Sequence, residues 1–218
     1  NKLIKISNES LKELTFEIGS NSDLLLENLV TNTLNFHLEY FLKNTKKGKL
    51  TFPTKFNFIE PLLNISDKTR ILPRISLNPQ SIITKVEFGT SNLYERIDAI
   101  NRLAECGYKT YILIAPVIIT DTFYEDYTNL INKLKEKLSD KAKEFITFEI
   151  IFMTYSYVHR KINEEAFTNT INLYSKDLMT SNGKFKYRYK DSIKNVAKEF
   201  LKDLIAKNFD NYEIKYIV

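Results

Sequence analysis

Polar residues follow several short apolar runs of this 218-residue chain, and their types could bind a charged ligand. The apolar runs are residues 14–18, 50–54, 71–75 and 111–114. The polar residues that follow the first three runs are Ser22, Lys55, Ser76 and Asn78. Because the carboxyl ends of parallel strands form the ligand-binding mouth of α/β proteins, we expect these four residues around one cavity. Hydroxyl groups beside a lysine suit a ligand that carries both a carboxylate and an ammonium group.

Each of these residues also has a purely structural explanation. Ser22 and Asp23 suit the N-cap of a following helix, and a helix N-terminus at such a mouth would itself attract a carboxylate. Lys55 can be a solvated lysine at a strand end, and Ser76 with Asn78 can form a turn before a proline. Residue types alone therefore leave binding and structural roles open.

Composition limits the class of protein. The chain is 43% hydrophobic and 27% charged, which is ordinary for a globular protein, and its net charge of +5 permits an anionic partner without requiring one. No membrane-spanning run or signal peptide is visible, and the single cysteine, Cys106, excludes an internal disulfide and favours a reducing, cytoplasmic setting. We expect Cys106 to be a buried bystander. His37 and His159 lack companions at ligand spacing, so no metal site is predicted.

The pattern of elements predicts an α/β fold. Strand-like and helix-like segments alternate four or five times and end in a helix at 192–208 and a strand at 212–217, which indicates a parallel sheet or partial (β/α) barrel. The chain is too short for a complete eight-unit barrel, which needs about 250 residues. We expect one domain over residues 1–218, with a C-terminal helix–strand extension from about residue 180.

Several individual elements are also predicted. One helix is expected from residue 24 to about 46, capped by Asp23, and another from 93 to 106, capped by Ser91 and Asn92. Pro73 indicates an irregular or edge-like entry into its strand. Residues 167–174 can be helical.

Cations and aromatic residues alternate at residues 184–189. On a strand this pattern would place one set on each face, with Lys184, Lys186 and Arg188 opposite Phe185, Tyr187 and Tyr189. Cations for phosphate and rings for base stacking are typical of nucleic-acid binding. An amphipathic strand that packs its rings on the core is the structural alternative.

Motifs in a fixed order resemble one known family. Residues 16–23 match F-E-x-x-C-x-S-D except at the cysteine, which is Ser20 here, and they are followed by T-K at 54–55 and S-x-N at 76–78. E-x-G-T-S at 87–91 precedes R-I at 96–97 and A-P at 115–116. Taken alone, the segment 87–96 would be a capped loop with a surface arginine. Together the motifs resemble the spore photoproduct lyase family of radical SAM enzymes, from about residue 16 to the C-terminus.

The resemblance implies a radical-SAM-like partial barrel that cleaves S-adenosylmethionine reductively at a [4Fe–4S] cluster. In the family, the positions of Ser22, Lys55 and Ser76 contact the methionine part of the cofactor, and those of Asn78 and Ala115 lie nearby. The resulting 5′-deoxyadenosyl radical abstracts hydrogen from a thymine dimer in DNA, so the activity implied is that of a carbon–carbon lyase. Candidate substrate contacts are Lys184, Lys186, Tyr187 and Arg188.

Two departures from the family pattern change what is expected. The cluster motif C-x-x-x-C-x-x-C lies upstream of the matching segment in the family, so this chain is expected to be a C-terminal portion that is inactive alone and incomplete at the N-terminal side of its barrel. Ser20 stands at the position of the family's hydrogen-donating cysteine. Because a hydroxyl O–H bond is much stronger than a thiol S–H bond, Ser20 favours a relative with another radical substrate.

Two other functions remain open from the residues. The chain could be a non-enzymatic, basic α/β module that binds nucleic acid, or a folded remnant without activity of its own. No feature of the sequence specifies an oligomeric state.

Overall fold

The computed structural model describes residues 2–218 as a parallel sheet wrapped by helices. The strands are β1 (Thr15–Glu17), β2 (Lys49–Thr54), β3 (Ile71–Leu77), β4 (Thr110–Val117), β5 (Ile146–Phe152), β6 (Thr154–Ser156), β7 (Met179–Ser181), β8 (Lys186–Tyr189) and β9 (Tyr212–Ile217). The helices are α1 (Lys2–Glu9), α2 (Leu24–Thr31), α3 (Leu34–Asn44), α4 (Glu60–Leu63), α5 (Gln80–Val86), α6 (Leu93–Glu105), α7 (Phe123–Lys137), α8 (Asp140–Lys143), α9 (Tyr157–Ala166) and α10 (Asp191–Asn208).

Six strands form one curled, parallel half-barrel in the order β1-β2-β3-β4-β5-β9. All seven residues of β3 are buried, as expected for a central strand covered on both faces. The prediction of an α/β partial barrel is therefore confirmed. All six strands run in one direction, so their carboxyl ends share one edge of the sheet.

Local sequence explains how the covering helices are placed. On α6, Leu93, Ile97, Ile100 and Leu103 lie on one buried stripe. Its first turn is held by a capping box, in which the Asn92 side chain accepts from Glu95 N and the Glu95 side chain accepts from Asn92 N. Pro73 pairs with β2, while pairing to β4 begins only at Ile75, so the proline lies where β3 has one neighbour, in agreement with the predicted edge-like entry.

The structure corrects three predictions of secondary structure. The helix expected from residue 24 to 46 is two helices, because Asn32 adopts a left-handed conformation (φ 49°) and the Asn28 side chain accepts a hydrogen bond from Leu34 N at 2.9 Å. Residues 167–174 form no helix, since Phe167 is already extended as it leaves α9. A small antiparallel sheet, β6-β8-β7, was not expected from a pattern that indicated only parallel pairing.

No helix among residues 2–218 is long and apolar enough to cross a membrane. The same residues contain no group of three or more His, Cys, Asp or Glu side chains placed to hold a metal ion.

The C-terminal helix tests whether the chain folds as one unit. Ile205 on α10 is fully buried, and Phe200 of the same helix contacts Phe123 of α7 at a ring distance of 5.6 Å. Ile205→Ala should lower the free energy of unfolding by about 2–5 kcal/mol in a urea titration with one transition. Val196→Ala, on the exposed side of α10, should change it by less than about 0.5 kcal/mol. Two transitions, with only one shifted by Ile205→Ala, would contradict a single domain.

Candidate functional site

A cavity of about 440 Å³ opens at the carboxyl ends of β2, β3 and β4. Its lining residues are Ser22, Asp23, Pro53, Thr54, Lys55, Ser76, Leu113, Ala115, Pro116 and Ile151. The structure therefore brings Ser22, Lys55, Ser76 and Ala115 together, while Ser20 and Asn78 are not among the lining residues. The cavity has an apolar body and a polar rim.

Asp23 fixes one wall of this cavity. Its Oδ1 accepts hydrogen bonds from the backbone N–H groups of Leu25 and Leu26, which confirms the predicted N-cap of α2. The same carboxylate accepts from Thr54 Oγ1 at 2.9 Å and from Lys55 N at 2.8 Å. Asp23 thus joins the start of α2 to the end of β2, and Ser22 stays exposed beside it at the mouth.

Lys55 reaches across the cavity from the end of β2. Its ammonium group forms an ion pair with Glu87 and lies 3.4 Å from the carbonyl oxygen of Ala115. Ser76 Oγ donates to the same carbonyl at 3.0 Å. Ala115 precedes a cis peptide bond to Pro116. Burial lowers the pKa of Lys55, and the opposite charge of Glu87 offsets only part of that effect.

Glu87 is the centre of a buried network behind Lys55. Its Oε1 also accepts a hydrogen bond from Asn78 Nδ2 at 2.8 Å. Its Oε2 forms an ion pair with Arg96, at 2.7 Å from Nη2. This Nη2 donates its hydrogen bond to Thr90 Oγ1, so Oε2 accepts no hydrogen bond. Burial alone would raise the pKa of Glu87, but Lys55 and Arg96 together lower it below its usual range.

Arg96 is fully buried, so its interpretation as a surface arginine is wrong. Its guanidinium donates to Ser91 O at 2.8 Å, to Ser76 O at 2.9 Å and to Thr90 Oγ1 at 2.7 Å. The E-x-G-T-S loop therefore closes around the Arg96 side chain. The sequence does not predict this, because an arginine next to a loop is usually exposed to solvent. The link to Ser76 O also ties the loop to the end of β3.

Asn78 and Ser20 have other surroundings. Asn78 is fully buried between Glu87 and Tyr127, whose hydroxyl donates to Asn78 Oδ1 at 3.1 Å. Ser20 is exposed on the turn that joins Gly19 O to Ser22 N by a 3.2 Å hydrogen bond. Ser20 thus lies near the mouth, outside the cavity lining.

A second cavity, of about 200 Å³, adjoins the first at Pro116, which lines both. Its apolar lining residues include Val86, Ile118, Met153, Tyr155 and Leu173, and its polar ones include Ser156, His159, Arg160 and Asn163. Sequence reasoning missed these residues. The signal that could have identified them is the change from the apolar strand β5 to the polar residues Thr154 and Ser156 that follow it.

An ionic network joins four strands of the half-barrel on the amino-terminal side of the first cavity. Arg74 on β3 pairs with Glu149 on β5 at 2.9 Å and with Glu17 on β1 at 2.5 Å. Glu149 also accepts from Lys215 Nζ at 2.7 Å and from the Tyr216 hydroxyl at 2.8 Å, both on β9. Burial raises the pKa of Glu149, but these donors together lower it below its usual range.

The segment 184–189 forms a hairpin whose alternation is only partly as predicted. Lys184 and Phe185 adopt positive φ angles (49° and 58°) in the turn, and Phe185 is 76% exposed, so the regular two-faced pattern holds only along β8. Lys184 and Lys186 are exposed. Arg188 forms an ion pair with Asp191.

The tyrosines of the hairpin pack inward, as the structural alternative requires. Tyr187 contacts Tyr155, Tyr157 and Tyr174, with ring centroids 4.9 to 6.3 Å apart. The buried Tyr189 accepts a hydrogen bond from Ile119 N at 2.9 Å.

Comparison with known proteins identifies relatives along almost the whole chain. The family model described as spore photoproduct lyase matches residues 4–218. Spore photoproduct lyase of Bacillus subtilis (strain 168) is 30% identical over 97% of this chain, and that of Clostridium acetobutylicum is 30% identical over 93%. The chain spans 63% and 60% of the lengths of these two relatives.

Solved structures share the fold. A spore photoproduct lyase mutant with bound AdoMet and dinucleoside spore photoproduct superposes with a TM-score of 0.90 at 24% identity, and a second mutant does so with 0.90 at 25%. Each comparison covers 100% of this chain and 65% of the solved chain.

The network around Glu149 should make stability depend on acid pH. A carboxylate whose pKa is lowered by folding stabilises the fold above its unfolded pKa and loses that contribution as the pH falls. The free energy of unfolding should therefore fall between about pH 5 and pH 3, and Glu149→Gln should make this fall shallower while lowering stability at pH 7. The exposed Glu125→Gln on α7 serves as control. A pH dependence unchanged in Glu149→Gln would contradict this role.

Proposed function

We propose a function from one premise: the chain belongs to the spore photoproduct lyase family of the radical SAM superfamily. We propose that its paired cavities bind S-adenosylmethionine and that the whole protein is a carbon–carbon lyase. Its substrate would be thymine-dimer damage in DNA or a related radical substrate. Binding is a function of the residues described here, whereas the lyase activity needs groups that they do not supply.

The first cavity carries this proposal, because it matches the two charged groups at the amino acid end of the cofactor. The Lys55 ammonium can pair with the carboxylate, and the hydroxyl groups of Ser22 and Ser76 add hydrogen bonds. The carbonyl oxygen of Ala115, which already accepts from Ser76, can also accept from the ammonium group. Lys55 is half-buried, and because Glu87 and Asp23 offset only part of the cost of its burial, it keeps an attraction for a ligand carboxylate.

The second cavity suits the adenosine end of the same molecule. Val86, Ile118 and Met153 offer apolar surface for a flat ring, and Ser156 and Asn163 offer hydrogen bonds. Because both cavities share Pro116, one elongated ligand can occupy them together. When bound, S-adenosylmethionine would supply the hydrogen-abstracting chemistry of the superfamily, and Lys55, Ser22 and Ser76 would hold its amino acid end.

The residues of this chain do not fit a [4Fe–4S] cluster. A cluster needs several cysteine thiolates, and Cys106 is the only cysteine in the sequence. Cys106 is exposed where α6 ends, so its prediction as a buried bystander is wrong. We infer that the cluster ligands belong to a part of the protein outside residues 1–218, and no step through the cluster is assigned to these side chains.

Ser20 marks the position where hydrogen donation differs from the family pattern. A serine hydroxyl is a poor hydrogen donor to a carbon radical, because its O–H bond is much stronger than a thiol S–H bond. Ser20 is exposed at the mouth and can still hydrogen-bond a substrate. We propose that another group donates the hydrogen, or that the substrate radical differs from that of the relatives.

The hairpin is the proposed contact with DNA. Lys184 and Lys186 are exposed and can meet phosphates, while Arg188 would first have to leave Asp191. Tyr187 is packed among other tyrosines and would support the hairpin rather than stack on a base. We also propose a cytoplasmic location, which a DNA substrate and the absence of an internal disulfide would both suit.

The second candidate function is a nucleic-acid-binding module without catalysis. The observation that favours it is the hairpin tip, where two exposed lysines flank the exposed ring of Phe185. This function needs neither cavity and no cluster.

S-adenosylmethionine binding tests the main proposal. Isothermal titration calorimetry should show saturable binding to the 218-residue chain, weakened at least about tenfold in Lys55→Ala, which equals about 1.4 kcal/mol. Lys109→Ala, an exposed lysine just before β4, should leave the affinity unchanged. Equal affinities in the wild type and Lys55→Ala would exclude the proposed site.

Salt dependence of DNA binding tests the hairpin. If Lys184 and Lys186 contact phosphates of a duplex, replacing both by alanine should reduce the slope of log K against log salt by about 0.9 for each lost contact. Lys135→Ala, exposed on α7, is the matched control. Binding with no salt dependence would exclude both the hairpin contact and the module function.

A further inference from the structure

We infer that Glu87 is a positioning residue: it holds the Lys55 ammonium in place and in its charged form at the first cavity. Through Asn78 and Tyr127, the same network reaches the second cavity. The inference rests on the proposed function, because it assigns Glu87 to the site that would take the cofactor carboxylate. Glu87 lines neither cavity, so it would act only through other residues.

The contacts of the Lys55 ammonium group leave one of its three N–H groups for a ligand. One of its three ammonium hydrogens is used by Glu87 and a second is directed at Ala115 O, 3.4 Å away. Glu87 is itself fixed, since its Oε1 accepts a hydrogen bond from Asn78 and its Oε2 lies in an ion pair with Arg96. The third hydrogen is therefore available to a ligand carboxylate from a side chain whose direction is already set.

The charge balance around Lys55 depends mainly on Glu87. The charged groups that face Lys55 are Glu87, Arg96 and Asp23. Arg96 has the same sign and opposes the ammonium charge, and the Asp23 carboxylate is already occupied by four hydrogen-bond donors. Of the two carboxylates that offset the cost of burying Lys55, Glu87 thus has the larger effect, and its removal should lower the pKa of Lys55 further.

The far end of the network reaches the second cavity. The Tyr127 hydroxyl donates to Asn78 Oδ1 at 3.1 Å and accepts from Ile118 N at 2.9 Å. Ile118 and Val86, the neighbour of Glu87, both line the second cavity. Tyr127 therefore provides a matched control, because it belongs to the same network but supports the second cavity.

Two ligands distinguish effects on the first cavity from effects on the second. S-adenosylmethionine carries the carboxylate, whereas 5′-methylthioadenosine has the same nucleoside and no amino acid group. By calorimetry, Glu87→Gln should weaken S-adenosylmethionine at least about tenfold at pH 8 and 5′-methylthioadenosine less than about twofold. Tyr127→Phe should weaken both ligands by a similar factor. An equal loss for both ligands in Glu87→Gln would overturn the inference.

The pH profile gives a result that a merely structural role would not produce. Lys55 is charged below its pKa, so a lower pKa makes carboxylate binding fall as the pH rises. Between about pH 6.5 and pH 9, the affinity of Glu87→Gln for S-adenosylmethionine should fall more steeply than that of the wild type. Parallel profiles would also overturn the inference.

A measurement without ligand keeps the inference separate from the proposed function. The pKa of Lys55 can be read by NMR titration of lysine labelled at Cε, with the signal assigned by its loss in Lys55→Arg. If the wild type binds no S-adenosylmethionine, the proposed function fails, yet a lower Lys55 pKa in Glu87→Gln still supports the positioning role. An unchanged pKa overturns it.

A second variant covers a failure to fold. If Glu87→Gln unfolds because Arg96 loses its partner, Glu87→Asp keeps the charge and withdraws the carboxylate by one methylene group. It should weaken S-adenosylmethionine more than about threefold and leave 5′-methylthioadenosine unchanged. No difference between the ligands would overturn the inference.

Discussion

The burial of one carboxylate, Glu87, is the constraint on which the mouth of the half-barrel depends. A carboxylate removed from water is costly unless cations and donors replace its hydration. The three groups that do so come from separate elements: Lys55 from the end of β2, Asn78 from the end of β3 and Arg96 from α6. The relative positions of these three side chains are therefore set by their contacts with one carboxylate. The loop that contains Glu87 also closes around Arg96, which donates hydrogen bonds to Ser91 O and Thr90 Oγ1.

A second ionic layer lies on the amino-terminal side of the residues that line the cavity. Arg74 and Ser76 lie two residues apart on β3, as do Glu149 and Ile151 on β5, so each pair points to the same face of the sheet. Glu17 and Lys215 extend this layer to the two edge strands, β1 and β9. Pro53, Leu113 and Ile151 give the cavity an apolar body, and Lys55 with its ion pair to Glu87 lies at the carboxyl ends of the strands.

The sequence predicts the features of the site that depend on strand direction. It predicts fewer of the features that depend on contacts between residues far apart in the sequence. Ser22, Lys55, Ser76 and Asn78 are expected around one cavity because parallel strands share an edge, and the first three line it whereas Asn78 does not. The burial of Arg96 and the inward turn of Asn78 depend on partners up to 49 residues away, which no local pattern reveals. The break at Asn32 was missed because the apolar period continues across it, while a single left-handed residue ends the helix.

Ser20 lies on a turn that is structurally separate from the lining of the first cavity. Gly19, at a φ of 71°, has Leu24 so close that an added Cβ would lie 2.6 Å from its Cγ, so the turn that carries Ser20 is tightly specified. Ser22, two residues further on, lines the cavity, whereas Ser20 does not. A change of residue at 20 can therefore alter the group presented to a substrate while the groups around Lys55 stay in place. The polar groups of Ser22, Lys55 and Ser76 then stay around the cavity whatever side chain the turn carries at position 20.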